Sequence, residues 1–193
     1  HSVFGWIEPA GIKRNAVEMN VATSVRETFR IRARNTNIND MTLLATDYLN
    51  HFNEALMLAE MVGDMPEMLE DFSDWQPCSY LDHFRQSGIA DRELAIDAYP
   101  YSPSEYRLAL ERVTHQLDDE IKGLQQYFRE TLTANEANSE DAAVVARCQT
   151  IRGLIDKAGG IINGYVPKAS PALVRKDGKE GPLDQEAISA LFG

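Results

Sequence analysis

The apolar positions of this chain fall into helical stripes, and two of the stripes are long. Tyr106, Leu110, Val113, Leu117, Ile121, Leu124, Phe128 and Leu132 recur at steps of three or four residues, which sets them on one helix face. From Leu110 to Leu132 the stripe covers 22 residues in six steps. That is the spacing of an eleven-residue repeat and predicts a nearly straight or slightly right-handed pairing. Ser102 followed by Pro103 predicts the start of this helix, with Ser102 as its N-cap. Val144, Cys148, Ile151, Ile155, Ala158 and Ile162 form the second long stripe. Ser139 is its expected N-cap, Glu140 and Asp141 suit its positive end, and Gly164 suits its C-cap. The short connector Thr133–Asn138 then predicts an antiparallel hairpin over about 103–133 and 139–164.

Shorter patterns surround this hairpin. Ala45, Leu49, Phe52, Leu56 and Ala59 predict a helix from Asp40 to about Val62, with Asp40 as N-cap. Pro66 opens a further short helix, and two more are expected at about 79–87 and 91–97. Residues 3–40 are ambiguous. Val17, Val21, Val25 and Phe29 favour a helix from about Ala16, whereas Phe29 to Arg34 alternates apolar and basic residues as a strand does. The expected fold is all-α: a helical bundle built around the long antiparallel hairpin, with short accessory helices. Three regions are expected: a helical domain over 1–165, a tether over 166–182 that is rich in Pro, Gly and basic residues, and a short helix over 183–193.

Composition narrows the partners. The chain has 193 residues and a net charge of −11. A single domain of this size buries a core without disulfides or metal. The acidic balance argues against nucleic acid and anionic membranes as partners, because both repel it. No apolar run approaches the length of about 20 residues that spans a bilayer, and no signal-peptide pattern is visible. Cys78 and Cys148 show no metal-ligand spacing, so a reducing, cytoplasmic setting is expected. Cys148 lies inside an apolar stripe, as a buried small side chain does. No cofactor is indicated.

Candidate chemistry is sparse. Asp47, His51 and Glu54 follow one helical spacing, and Glu111, His115 and Asp118 repeat it. Two such helices face to face would supply a metal site in a bundle. At about 100° per residue, however, His115 lies about 150° from its apolar stripe and His51 about 80° from its own. The bland reading is two polar helix faces. Arg26, Arg30, Arg32 and Arg34 form the one dense basic patch, expected to face the chain's own acidic helices. Met57, Met61, Met65 and Met68 recur near helical spacing, as core residues or as a partner groove. No phosphate loop, G-x-S-x-G or HExxH motif is present.

The last eleven residues carry agreeing local signals. Pro182 halts the preceding chain, Asp184 suits an N-cap, and Leu183 with Ile188 suits a hydrophobic staple. Leu183, Ile188, Leu191 and Phe192 then share one apolar face. A free helix this short is marginal in water and needs a surface to bury that face. The segment Leu183-Asp-Gln185-Glu-Ala-Ile188-Ser-Ala190-Leu191-Phe192 resembles the response-regulator-binding peptide of flagellar motor-switch proteins. It matches at Leu183, Gln185, Ile188, Ala190 and Leu191 and departs at Ala187 and Ser189. The layout of hairpin, tether and terminal helix also resembles the chemotaxis response-regulator phosphatase, although no segment matches its Asp/Gln catalytic pattern. Gln116, Gln125, Gln126 and Gln149 stand alone.

The resemblance implies a bacterial signalling setting and a response-regulator receiver domain as partner. The expected function is a non-enzymatic cytosolic interaction or regulatory protein that docks through Leu183, Ile188, Leu191 and Phe192. Two alternatives stand beside it. One is a metal-binding bundle or enzyme using Asp47, His51, Glu54, Glu111, His115 and Asp118. The other is an oligomeric structural protein whose tail packs on a neighbouring subunit.

Overall fold

The computed structural model describes residues 10–133 and 141–166, with side chains described over 21–131 and 141–166. All but Val166 of the expected tether over 166–182, the docking residues Leu183, Ile188, Leu191 and Phe192, and the expected cap Ser139 lie outside the described residues. The described chain is all-α: α1 (Ala10–Ala33), α2 (Asn50–Met61), α3 (Met68–Asp74), α4 (Tyr80–Gln86), α5 (Arg92–Ala98), α6 (Ser104–Thr133) and α7 (Ala142–Ile162), with 3₁₀ turns at Thr46–Leu49 and Tyr99–Tyr101.

Helices α6 and α7 pack along each other. The Tyr127 hydroxyl donates to the Asp141 carboxylate, and Arg147 lies 3.6 Å from Glu120. Moving back along α6 meets residues further along α7, so the two helices run antiparallel. Leu110, Val113, Leu117, Ile121, Leu124 and Phe128 of α6 are buried, as are all six stripe residues of α7. Helix α2 lies against both and contributes Phe52, Ala55, Leu56 and Ala59 to the same core. Asp141 itself caps α7, its carboxylate accepting from the Ala143 amide at 2.9 Å. The far end of α7 closes with the Tyr165 amide donating to Gly160 O and the Gly164 amide to Ile161 O. Gly164 takes φ +94°, and a Cβ there would meet Met41 Sδ at 3.2 Å, so this turn requires glycine.

Three expected helix starts differ. Asp40 begins no helix, because residues 34–45 form a loop that buries Ile38 and Thr42 to Ala45. The Asn39 side chain accepts from the amides of Met41 and Thr42, both at 3.0 Å. This side-chain turn competes with helical pairing. Leu43 enters the left-handed region at φ 58° and drives its side chain into the core beside Leu44, both 0% exposed. Thr42 Oγ1 donates to Ile162 O at 2.5 Å and pins the loop to the end of α7. Ser102 is buried with a hydroxyl that has no hydrogen-bond partner, so its side chain does not cap α6. Helix α1 starts at Ala10, ahead of Ala16, and Phe29 to Ala33 continue it. The alternation there is not a strand.

Candidate functional site

Helix α6 sets one polar face beside the segment that joins α3 to α4. Glu111, Thr114, His115 and Asp118 stand at helical spacing and therefore share that face. Opposite them the chain breaks at Gln76-Pro77 and restarts at Ser79, which caps α4 by accepting from the Asp82 amide at 3.2 Å. Proline lacks an amide and tolerates no helix interior here, so this stretch runs extended and leaves a gap against α6. Tyr48, Tyr80 and Tyr99 wall the gap from the two 3₁₀ turns and from α4. The result is a cleft of about 340 Å³ that also involves Cys78, Glu111, Thr114, His115 and Asp118. That volume falls at the lower end of small-molecule sites.

The aromatic walls are locked. Tyr80 stacks on Tyr99 with ring centroids 4.7 Å apart, and the Ala45 amide donates to the Tyr80 hydroxyl at 2.9 Å. Tyr48 meets Tyr80 edge-on at 5.3 Å. Burial pushes all three phenols well above the ordinary tyrosine range. Their protons are therefore held, and two have protein acceptors: Tyr48 donates to Cys78 O at 2.8 Å, and Tyr99 to Glu111 Oε1 at 2.9 Å.

Asp118 is the unusual member. Its Oδ1 atom is buried and has no hydrogen-bond partner. Desolvation pushes its carboxyl up to about 6, and the positive charges of His115 and Lys122 pull it back only partly. The Cys78 thiol is also raised, first by desolvation and then by Asp82 and Asp118. A thiol so placed is a poor nucleophile, because the thiolate is the reactive form. His115 is exposed at the rim.

The first predicted triad lies outside this cleft. His51 stacks on Trp75 at 4.7 Å and sits beside Glu54 in a separate shallow depression with Asp71 and Asp74. The Trp75 indole donates to His51 O at 3.0 Å. The rings of His51 and His83 are 6.3 Å apart, and each has a buried Nε2 without a partner. Desolvation lowers both histidines, and His83 lowers His51 further. Hydrogen bonding to the Asp47 backbone and the Asp47 charge offset part of the effect at His83. The structure thus brings Glu111, His115 and Asp118 to one cleft and leaves Asp47, His51 and Glu54 elsewhere. Among the described residues, no three His, Cys, Asp or Glu side chains converge to hold a metal ion.

Other candidates have structural partners. Gln125 Nε2 donates to Phe72 O at 2.8 Å and Trp75 O at 2.9 Å, tying the end of α3 to α6. Gln126 bonds to Glu130 and Arg129 on its own helix. Arg26 donates to Tyr101 O at 2.9 Å, Arg30 pairs with Glu27 at 3.8 Å, and Arg32 lies over Phe29. The basic patch therefore engages its immediate surroundings, in place of the acidic helices expected opposite it. Met57 is exposed, whereas Met61, Met65 and Met68 are half-buried.

Sequence reasoning missed Tyr48, Cys78, Tyr99 and Thr114. Thr114 was findable, since it shares the helical face of Glu111 and Asp118. The other three reach the cleft only through tertiary packing. Compared with protein-family models, curated proteins and solved structures, the chain matches none. No helix among the described residues is long and apolar enough to cross a membrane.

Proposed function

We propose that this chain is an interaction and regulatory protein, with the helical bundle as scaffold and Leu183, Ile188, Leu191 and Phe192 as a docking face. The partner class is a response-regulator receiver domain, in a bacterial-type cytoplasmic setting. The observation that carries this reading is the terminal sequence pattern, which suits an N-cap, a staple pair and one apolar face and follows a stretch of prolines, glycines and basic residues. The bundle geometry is compatible with it. Helix α7 is closed by its glycine turn, and Tyr165 is 68% exposed.

Titration calorimetry of the full chain and of a 1–181 truncation against purified receiver domains, with and without a phosphoryl mimic, tests this. The expected result is binding by the full chain that the truncation loses. Equal affinity of both forms overturns the reading. Light scattering of the same pair separates the oligomer alternative: a larger mass for the full chain alone places the tail on a neighbouring subunit and counts against a receiver partner.

A further inference from the structure

A histidine stands at each end of the connector between α3 and α4. At its start Trp75 stacks on His51 with ring centres 4.7 Å apart, and the indole donates to His51 O at 3.0 Å. At its other end Ser79 caps α4, and His83 of that helix meets the Tyr48 ring at 5.6 Å. Tyr48 in turn holds the connector by donating to Cys78 O at 2.8 Å. Phe52 packs edge-on against His51, and Phe84 against His83. The two imidazole rings lie 6.3 Å apart.

This packing suits neutral rings. Both Nε2 atoms are buried and have no hydrogen-bond partner. A neutral imidazole carries one N–H, whereas the protonated ring carries two. Whichever nitrogen bears the first proton, the charged ring places an N–H at a buried Nε2 that nothing accepts. Charging both rings adds repulsion between neighbours. Acidic groups face the pair from several elements. Asp47, from the Thr46–Leu49 turn, acts on His83. Glu54 of α2 and Asp71 and Asp74 of α3 share the depression of His51. Asp82 of α4 is engaged by Ser79 and Arg85. Asp118, Cys78 and Tyr99 act on the other neighbour, Tyr48. Burial outweighs them and holds both histidines below the ordinary range.

We propose that His51 and His83 form an acid-sensitive latch: while neutral they keep the connector and α4 closed on the Thr46–Leu49 turn, and proton uptake populates a locally open state in which the α6–α7 hairpin stays folded. Helix α3 keeps its place, because Gln125 ties Phe72 O and Trp75 O to α6. The open state frees both rings to take protons at their ordinary 6.5. The closed state binds fewer protons, so it is fully favoured above about pH 6.5 and loses ground as pH falls. This device is independent of the C-terminal docking face.

The experiment is amide hydrogen exchange of the full chain at about pH 7.5 and about pH 5, corrected for intrinsic rates, beside an NMR titration of the imidazoles. The expected result is several-fold faster exchange at the lower pH for the Asp82 and His83 amides, which are bonded to Ser79 in the closed state. Amides of α6 and α7 keep their protection. The double variant His51→Gln/His83→Gln loses the acid response, because glutamine stays neutral. His83→Gln alone moves the His51 titration upward by removing a charged neighbour. If the double variant fails to fold, the single variant and the titration of the parent still decide the matter. Exchange at Asp82 and His83 that ignores pH overturns the proposal. So does an equal acid response in the double variant, an equal response in α6 and α7, or a parent in which both imidazoles titrate at about 6.5.

Discussion

Gln125 and Asp118 stand seven residues apart on α6 and so share one face of the helix. Their surroundings are opposite. Gln125 is 5% exposed and donates from one nitrogen to two backbone carbonyls at the end of α3. Asp118 is half-buried, with an oxygen that meets no donor. Two helical turns thus separate a polar group that the fold satisfies from one that it leaves open. The first stabilises the packing of α3 on α6. The second costs stability. Burial alone does not tell a structural polar residue from a site residue; the difference lies in where its hydrogen bonds go.

The largest test of this contrast is Gln125→Leu. It leaves Trp75 O without its side-chain donor and loosens α3, so a loss of about 2–3 kcal/mol is expected in urea unfolding. A loss under about 0.5 kcal/mol would show that the tie is ornamental. Thr42→Val probes another satisfied group. Removing the hydroxyl that holds Ile162 O is expected to cost about 1–1.5 kcal/mol and to raise amide exchange in the 39–45 loop.

Asp118→Asn is expected to act in the other direction. The folded carboxyl is held at about 6, above its ordinary 3.8. Its protonated form favours the folded state, so that stability is complete below about pH 4 and is lost as pH rises through about 6. The full displacement corresponds to about 3 kcal/mol, and solvent screening of this half-exposed group reduces it to about 1 kcal/mol. The variant should therefore be more stable than the parent by about 1 kcal/mol at pH 8 and equal to it at pH 4. A uniform loss across that range would contradict the unpaired carboxylate.

The smallest effect concerns His51. Its folded pKa lies below 6.5. Stability is therefore complete above about pH 6.5 and falls as the unfolded chain takes up protons on the acid side, opposite in sign to Asp118. His51→Gln should flatten that acid limb, read from melting curves between pH 7 and 5. An unchanged slope would assign the acid limb to other groups.

The helical stripes were legible because period and burial coincide: Leu117, Ile121, Leu124, Ile151 and Ala158 are all fully buried. Glu111, His115 and Asp118 were legible as a face, because spacing along one helix needs no tertiary knowledge. What faced them was not. Cys78 lies in an extended connector, and Tyr48 and Tyr99 lie in 3₁₀ turns, so no periodicity marks them. The 40–45 segment misled because its apolar residues fit a helix while the Asn39 side chain and the left-handed Leu43 made a loop. The repeated carboxylate-x-x-x-His spacing does not bring the two sets together: His51 and Glu54 of α2 and Glu111, His115 and Asp118 of α6 line different depressions.

The most direct measurement is the pKa of the Asp118 carboxyl, followed by carbon-13 NMR in the full chain. The expected value is about 6, held up by desolvation of the half-buried carboxyl. A value near the ordinary 3.8 would contradict the unpaired carboxylate.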